Sequence, residues 1–339
     1  MGVNISDIVQ KHGTNLKEQS GSIVAVDAYN IIYQFLSSIR EYDGSPLKDM
    51  KGRITSHISG IFYRTITLME QGIKPVYVFD GKPAYLKNRT LEERRLIKEK
   101  NILELQAAVE SGDEERARSL SARINYVTRE VADDARKILT FMGLPYVDAP
   151  SEGEAQASVM SKNGLVSGVV SQDYDCLLFG ARRVYRNFTM YGRRKVPGRN
   201  LYVNVTPEYI DLNEVLAMNH ITYEQLIDLG IMVGTDFNKG LDRVGAKTAL
   251  NLIRKFGTIY AVLREKAQEI EKLDEIREFF MSPPVNKDIR INFNRPQPDR
   301  IFEFLCDEHD FSRQRIEPYV AKLDTFFNRE KQSNLDTFL

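Results

Sequence analysis

Acidic residues follow the apolar, strand-like runs of this chain at several separate places. They are Asp27 in IVAVDAYN, Asp80 in VYVFDGK, Glu152 and Glu154 in APSEGEAQA, Asp173 and Asp175 in VVSQDYD, and Asp236 in IMVGTDFN. In an open α/β sheet, residues that follow the carboxyl ends of the strands meet in one crevice. So many carboxylates would repel one another unless protons or cations compensated them. Hard divalent ions take such oxygen ligands, so the pattern predicts an α/β fold with a metal site.

The order of strands and helices along the chain predicts how the sheet is connected. We expect strands that end at Asp27, over Val76–Phe79, over Pro145–Val147 and over Val169–Ser171, with helices over Ile31–Ile39, Ser56–Gln71 and Val131–Met142. Helical crossovers between strands indicate parallel pairing. The predicted fold class is therefore α/β, with a central, mostly parallel sheet flanked by helices.

Length and composition restrict the class of protein. A chain of 339 residues with 42% hydrophobic and 28% charged residues predicts one large globular unit or two closely associated lobes, and length does not separate these. We found no apolar run long enough for a membrane span and no secretory signal, so we expect a cytoplasmic protein and a monomer. The lone Cys176 and Cys306 have neither metal-ligand spacing nor a disulfide framework.

The charges are balanced in total but segregated along the chain. There are 47 basic and 47 acidic residues, yet no acid occurs between Asp175 and Glu208. That segment contains seven basic residues, Arg182, Arg183, Arg186, Arg193, Arg194, Lys195 and Arg199, interleaved with the aromatic residues Tyr185, Phe188 and Tyr191. Such a segment could neutralise several phosphates, so it predicts contact with nucleic acid.

Residues 82–130 are charged and lack any strand-like run, which predicts one or two exposed helices broken near Ser111. The first part of this insertion carries a group of basic residues that includes Lys87, Arg89, Arg94, Arg95, Lys98 and Lys100. A solvated helix face explains such charges equally simply. The position of the insertion directly after Asp80 favours a role above the metal site.

Glycines punctuate two short helices in residues 228–258. The turn at Gly245 opens a helix whose free N–H groups could hold a DNA phosphate, with Lys247 nearby. Plain helix packing is the alternative.

In the C-terminal residues 327–339, Gln332, Leu335, Phe338 and Leu339 are spaced as in a short helical turn that docks into a partner's pocket, although such spacing is common.

Together these motifs resemble those of one family, the archaeal flap endonucleases of the XPG-like superfamily. The resemblance spans nearly the whole chain and is carried by VDAYNIIYQFL, RITSHISGI, VFDGKPAYLK, DAPSEGEAQA, SQDYDCLLFG, IMVGTDFNKG and FLCDEHDFS. It implies a PIN-like 5′-nuclease domain over residues 1–326, with a helical arch over 82–130 and a helix-hairpin-helix motif over 228–258. Residues 327–339 would be a flexible tail that binds the DNA sliding clamp, PCNA.

The resemblance also implies a reaction. The chain would act as a 5′ flap endonuclease and 5′ exonuclease on 5′ flaps, double flaps and nicked duplexes, in Okazaki-fragment maturation and base excision repair. The seven acids would hold two Mg²⁺ ions, for which Mn²⁺ would substitute. Such ions activate a water molecule and stabilise the attacking and leaving oxygens of phosphodiester hydrolysis. The expected products carry a 5′-phosphate and a 3′-hydroxyl.

Further residues match family positions. Lys87 and Arg94 match basic residues that act on the scissile phosphate, and their spacing would place them two turns apart on one helix face. Tyr33 matches an aromatic that stacks on a displaced base, although an aromatic in an apolar helix is usually part of the core. The region over residues 48–61 would grip a one-nucleotide 3′ flap.

Two positions depart from the family pattern. Arg243 stands where glycine is common, in the turn that binds duplex DNA and K⁺, and a left-handed backbone there would cost a non-glycine residue about 1 kcal/mol. The tail ends in Phe338 and Leu339 where two aromatics are usual, which predicts weaker binding to the clamp.

Three other functions remain open from the residues. A sibling nuclease would cut gapped ends, bubbles or four-way junctions, and the short chain with its long insertion favours the flap enzyme over it. A clamp-binding scaffold without activity would not need the seven acids. A metal phosphatase would use the acids but leaves the basic segment, the glycine motif and the tail unexplained.

Overall fold

The computed structural model of the chain describes residues 2–41, 44–113, 116–117, 119–120, 127–189, 192–195 and 202–336, and only the backbone of 193–195, 202 and 329–336. The chain divides into two compact units. Unit 1 comprises Met1–Asp27, Val78–Glu92 and Asp148–Ile289, and unit 2 comprises Ala28–Tyr77, Glu93–Val147 and Arg290–Leu339. The structure therefore favours two lobes over one undivided unit.

The strands belong to one mixed sheet and one hairpin. They are β1 (His12–Gly13), β2 (Ile23–Asp27), β3 (Lys74–Phe79), β4 (Tyr146–Asp148), β5 (Gly168–Val170), β6 (Arg183–Arg186), β7 (Gly192–Lys195), β8 (Tyr202–Val205) and β9 (Glu208–Asp211). The sheet has the order β1-β9-β6-β5-β2-β3-β4, and β3 and β4 each pass from one unit into the other. The pairs β2–β5 and β5–β6 are parallel, whereas β6–β9 and β1–β9 are antiparallel. The predicted α/β fold class is confirmed.

The helices surround these strands in sequence. They are α1 (Ala28–Ser38), α2 (Ser56–Glu70), α3 (Asn88–Glu110), α4 (Arg129–Phe141), α5 (Gly153–Lys162), α6 (Asp175–Leu178), α7 (Leu212–Asn219), α8 (Tyr223–Val233), α9 (Ala246–Phe256), α10 (Ile259–Lys266), α11 (Leu273–Met281), α12 (Pro298–Phe302) and α13 (Arg313–Asp336). Short 3₁₀ turns lie at Ser6–Ile8, Leu16–Gln19 and Tyr85–Lys87, and a π-helical turn lies at Glu303–Glu308. Among the described helices, none combines the length and apolar character that a membrane span requires.

Apolar strands form the core of unit 1. Val24, Ala25 and Val26 of β2 and Val169 and Val170 of β5 are fully buried. A strand that is covered on both faces needs such a continuous apolar run, because neither face meets water. This burial fixes the strands and so fixes where the residues after their carboxyl ends lie.

Helix α2 is the centre of unit 2, where it packs against α1, α4 and α13. Gly60 allows the closest of these approaches, because a Cβ at this position would lie 2.2 Å from the ring of Phe35 on α1. The sequence from Ile5 to His12 predicts a short helix, and the structure differs from this expectation. The segment contains the 3₁₀ turn and the short edge strand β1 in place of a helix.

Two aromatic residues of the basic segment are buried inside the protein and are therefore not available to nucleic acid. Tyr185 lies on β6, inside the sheet, and its ring is 4.5 Å from that of Phe188; both are fully buried. The adjacent Arg183 and Arg186 form ion pairs with Asp211 and Glu208 of β9, each at 3.3 Å. Tyr191 and Arg199 lie outside the described residues.

Candidate active site

Three strands of the sheet deliver four acids of the site. Asp27 is the last residue of β2, Asp80 directly follows β3, and Asp173 and Asp175 follow β5. Asp175 also begins α6 and is only 1% exposed. Asp236 lies beyond α8, in a turn. All seven predicted acids belong to unit 1, and we call these seven carboxylates the acid network.

Glu152 and Glu154 flank the glycine that begins α5. The N–H of Gly153 donates a hydrogen bond of 2.6 Å to Oδ1 of Asp80. A Cβ at this position would lie 2.7 Å from the same oxygen. Only a glycine therefore allows the start of α5 to approach Asp80 so closely, with one glutamate on each side. This packing joins the Glu152 loop to the end of β3.

A hydrogen-bonded turn after α8 holds Asp236. The hydroxyl of Thr235 donates to the side-chain oxygen of Asn238 at 2.9 Å and accepts from the N–H of Phe237 at 3.1 Å. The amide group of Asn238 in turn donates to the carbonyl of Ile231 on α8 at 2.7 Å. These bonds fix the turn, so Asp236 is held on a rigid support.

Lys87 lies within the acid network. Its Nζ is 2.5 Å from Oε2 of Glu152 and 3.3 Å from Oδ2 of Asp236. Lys87 ends the 3₁₀ turn that precedes α3, so it does not share an α-helical face with Arg94 as the spacing predicted. The reason is the chain around Pro83, where extended backbone at Ala84 leads into the tighter turn before the α-helix begins.

Electrostatic interactions connect the acids to one another. Burial raises the pKa of Asp175 to about 7, and the charges of Asp236 and Asp173 add to this, while the N–H of Val3 opposes it. Burial also raises the pKa of Glu154 well above its ordinary value, as does the nearby Asp175. The pKa of Asp80 is raised by burial and by Glu152. These shifts indicate excess negative charge in the acid network.

Lys87 supplies part of the missing positive charge. Burial alone would lower its pKa, but the charges of Glu152, Glu154 and Asp236 outweigh this and raise it above the ordinary value of lysine. The ammonium group therefore stays protonated at neutral pH. It cannot act as a base there, although it can stabilise a negative charge.

The donor set fits hard divalent ions, because carboxylate oxygens are the ligands that Mg²⁺ and Mn²⁺ prefer. Within the described ranges, no group of three or more His, Cys, Asp or Glu side chains has the arrangement of a formed metal site. The ammonium group of Lys87 bridges Glu152 and Asp236 in this geometry. The site is thus a carboxylate network bridged by lysine, and the ligand roles of its seven members stay predictions.

Several residues of the site were not predicted from the sequence. The N–H of Val3 donates to Oδ1 of Asp175 at 2.8 Å, across 172 positions of sequence. The buried hydroxyl of Ser171 lies 3.4 Å from Asp27 and accepts from the N–H of Asp173 at 3.2 Å. The hydroxyl of Thr90 donates to the carbonyl of Asp236 at 2.5 Å. Among Val3, Ser171 and Thr90, Ser171 was the residue that the sequence could have indicated, because it stands two residues before the predicted Asp173.

Two predicted site residues belong to unit 2, whereas the acid network belongs to unit 1. Arg94 is exposed on α3, and Tyr33 is 47% exposed on α1. This exposure excludes the core alternative for Tyr33. The predicted roles of both residues at the scissile phosphate and the displaced base stay predictions.

The structure positions the glycine motif clearly. Gly245 directly precedes α9, Lys247 is exposed in its first turn, and a Cβ at Gly245 would meet nothing within 4 Å. Arg243 has a left-handed backbone with φ of 59°, so the turn keeps the conformation that glycine favours. For Arg193, Arg194 and Lys195 the backbone forms β7, but their side chains lie outside the described part.

The C-terminal segment is described only in part. Helix α13 continues through Asp336, so no break in secondary structure marks the predicted boundary between residues 326 and 327. The backbone of Gln332 and Leu335 belongs to this helix. Phe338 and Leu339 lie outside the described residues. The clamp-binding role of this segment therefore stays a prediction.

Comparison with known proteins defines the class. The XPG N-terminal domain matches residues 1–101 and the XPG I-region matches residues 143–236. These regions contain all seven acids of the network and Lys87. The chain is thus an XPG-type nuclease. The catalytic core of Rad2 in complex with DNA substrate has the same fold, with a TM-score of 0.71 at 22% identity over 95% of this chain and 100% of that chain.

Individual relatives narrow the assignment. The flap endonuclease 1 of Picrophilus torridus is 59% identical over 338 residues and that of Pyrococcus furiosus is 47% identical over 339 residues, with at least 99% of every chain covered. The solved structure of flap endonuclease-1 from Methanococcus jannaschii matches with a TM-score of 0.77 at 42% identity, over 97% of this chain and 100% of that one. The chain belongs to the flap endonuclease 1 family of structure-specific 5′ nucleases.

Proposed function

We propose that this flap endonuclease hydrolyses a phosphodiester near the junction of a 5′ flap and leaves a 5′-phosphate and a 3′-hydroxyl. It also acts as a 5′ exonuclease, in Okazaki-fragment maturation and base excision repair. The observation that carries the proposal is the acid network, in which carboxylates far apart in sequence interact with one another and with Lys87. Its place of action is the cytoplasm, at the nucleoid, and it acts as a monomer.

Two Mg²⁺ ions, or Mn²⁺ in their place, would be held by the acid network. When bound, such ions supply Lewis-acid chemistry to a phosphate and a water molecule. Burial and the neighbouring negative charges raise the pKa of Asp175 and Glu154, which supports this assignment, since bound cations would stabilise the ionised carboxylates. Asp175 holds a proton below pH 7 and must release it to bind a cation, so metal binding and proton release are coupled.

Lys87 would act on the substrate directly. Its ammonium group is held by Glu152 and Asp236 and stays charged at neutral pH. A positive charge at this place stabilises the negative charge that develops on the phosphate during hydrolysis. Arg94 would add a second positive charge, and Tyr33 would stack on the base that leaves the duplex.

Branched DNA would be bound outside the acid network. The first turn of α9 offers unpaired N–H groups and Lys247 to a backbone phosphate of the duplex. A K⁺ ion in the turn before α9 would take part in the same contact. The left-handed Arg243 supports this because the turn keeps its geometry at a cost of about 1 kcal/mol. Arg193, Arg194 and Lys195 of the hairpin would contribute further phosphate contacts.

The remaining elements would select the shape of the junction. Residues 82–130, which include the long helix α3, would form the arch through which a free 5′ end threads. The loop and helix over residues 48–61 would grip a single 3′ nucleotide. Specificity would then come from the geometry of the junction without reading of base edges.

The test is the cleavage of a 5′-labelled double-flap DNA with Mg²⁺, with Mn²⁺ and without metal. We expect one metal-dependent cut just inside the downstream duplex. Nicked, bubble and four-way-junction DNA of the same sequence are the comparison substrates. Equal or faster cutting of the four-way junction would reassign the chain to a sibling nuclease, and binding without cutting would support a scaffold.

Deletion of residues 332–339 should leave flap cleavage unchanged and abolish its stimulation by the sliding clamp. The reason is that the spaced Gln332, Leu335, Phe338 and Leu339 supply the docking turn, whereas the acid network lies in unit 1. The measurement is the cleavage rate with and without the clamp. Leu339→Phe, which restores the second aromatic, should strengthen clamp binding. Undiminished stimulation of the deletion variant would refute the assignment.

A further inference from the structure

A cavity of 350 Å³ lies in unit 1 next to the acid network. Its lining includes Asn88 and Arg89, directly after Lys87, and Phe237 to Gly240, directly after Asp236. Tyr85, Leu86 and the loop over residues 269–272, between α10 and α11, form the rest of the wall. The Thr90 hydroxyl binds the carbonyl of Asp236 at 2.5 Å, so the first turn of α3 and the Asp236 turn are joined. The cavity is thus lined by residues that directly follow Lys87 and Asp236 in the chain.

Aromatic side chains form part of the wall. Tyr85 is 57% exposed although its hydroxyl donates to Glu275 and Nζ of Lys272 lies 5.2 Å from its ring centre. The ring is therefore accessible to solvent, while the hydrogen bond of its hydroxyl and the ammonium group near its centre hold the side chain in place. Phe237 is packed edge-on against the rings of Phe279 and Phe280 at 5.0 and 5.4 Å. An accessible, immobilised aromatic ring is what a nucleobase needs for stacking.

Charged groups of both signs complete the lining. Arg89, Lys239 and Lys272 carry positive charge, and Glu269 and Glu271 carry negative charge. Cationic groups suit a phosphate, while carboxylates can accept hydrogen bonds from the amino groups of a base. A nucleotide combines a stacking ring, an anion and such donors, so its chemistry matches all three kinds of wall.

We propose that this cavity binds one nucleotide of the cleaved single strand, with its base against Tyr85 and its phosphate toward the lysines. The inference rests on the proposed flap cleavage and adds a base-binding pocket to it. Occupation would place the strand immediately beside Lys87 and Asp236. The pocket would therefore position the scissile phosphate through the neighbouring nucleotide.

The test is a scan with abasic sites. One abasic residue is moved through the flap and the first downstream nucleotides of a double-flap DNA, and single-turnover cleavage is measured for each. We expect one position at which loss of the base slows the wild-type enzyme about 5-fold or more, in line with the strength of base–aromatic stacking. Tyr85→Ala should slow the intact substrate by a similar factor and be insensitive to the abasic residue at that position.

Two variants serve as controls. Tyr85→Phe keeps the ring and should retain the wild-type response. Tyr260→Ala removes another half-exposed tyrosine of unit 1, whose hydroxyl also binds a carboxylate, Asp274, at 2.5 Å, but which does not line the cavity. It should respond like the wild type. Thermal unfolding confirms that all variants are folded.

The outcomes separate this inference from the function on which it rests. If wild-type protein does not cut the intact double flap, the proposed function fails. If it cuts but no abasic position slows it, or if Tyr85→Ala keeps the full abasic response, the flap function stands and the nucleotide pocket is refuted.

Discussion

Asp175→Asn is expected to lower flap cleavage by about 1000-fold or more and to leave binding of branched DNA intact. The side chain is 1% exposed and accepts the N–H of Val3, and asparagine can keep this hydrogen bond because it has the same shape and a carbonyl oxygen. What asparagine removes is the negative charge, which a bound divalent ion would require. Single-turnover cleavage and an electrophoretic binding assay with double-flap DNA measure the two effects.

Asp211→Asn is the matched control. Asp211 also belongs to unit 1, accepts backbone N–H groups of Asn213 and Glu214 at the start of α7, and pairs with Arg183. Asparagine is an equally good residue at this helix start. This variant loses a carboxylate outside the acid network and should cleave at the wild-type rate within about twofold. Near-normal cleavage by Asp175→Asn would exclude Asp175 as a metal ligand.

The same substitution has a second expected effect, on stability without divalent ions. Burial and the neighbouring acids raise the pKa of Asp175 to about 7 in the folded protein, from 3.8 in the reference state. The folded state thus binds the proton more tightly, and this contribution to stability is complete below pH 4 and is lost as the pH rises toward 7. The shift corresponds to about 4 kcal/mol at most.

Asparagine does not ionise, so the variant escapes this loss. In chelator, the free energy of unfolding of Asp175→Asn should exceed that of the wild type by an amount that grows between pH 5 and pH 8. Denaturant unfolding at several pH values measures the difference. A difference independent of pH would show that burial and the neighbouring acids do not raise the pKa of Asp175.

The sequence could predict where these acids lie in the fold, because each acid follows an apolar run that is visible in its local sequence. Apolar runs identify the ends of β2, β3 and β5, and the architecture of an α/β sheet brings such ends together. The sequence also predicts a helix over Tyr223–Val233, and α8 has these bounds, because its apolar spacing and its Thr222 start are both present in the sequence. The family resemblance then added roles that no single acid pair could have indicated.

The contacts around the acids were not predictable, since they depend on distant pairing. Val3 meets Asp175 across 172 positions, and no property of the N-terminal sequence indicates this. The basic segment was misleading in one part, at Arg183 and Arg186, for the same reason. Its acid-free sequence conceals that β6 pairs with β9, whose Asp211 and Glu208 neutralise Arg183 and Arg186. A linear charge pattern does not show which side chains a neighbouring strand supplies.

Lys87→Met should lower flap cleavage by about 100- to 1000-fold, the usual effect of removing one group that stabilises transition-state charge. Methionine keeps most of the length of the side chain but lacks the ammonium group. Lys17→Met, at an exposed position of unit 1, is the control and should cleave normally. Single-turnover rates at saturating Mg²⁺ give the comparison.

Metal affinity distinguishes a catalytic from a purely structural Lys87. The ammonium group now holds Glu152 and Asp236 at 2.5 and 3.3 Å, and it must share these carboxylates with any cation that the acid network binds. Removing it leaves buried carboxylates uncompensated, so Lys87→Met should unfold more easily in chelator at neutral pH. It should also gain more stability from Mg²⁺ than the wild type does, because its carboxylates no longer have a competing partner.

A variant that binds Mg²⁺ more tightly and yet cleaves more slowly would place Lys87 in the chemical step. Weaker Mg²⁺ binding, with cleavage restored by excess metal, would instead make Lys87 a support for the metal ligands.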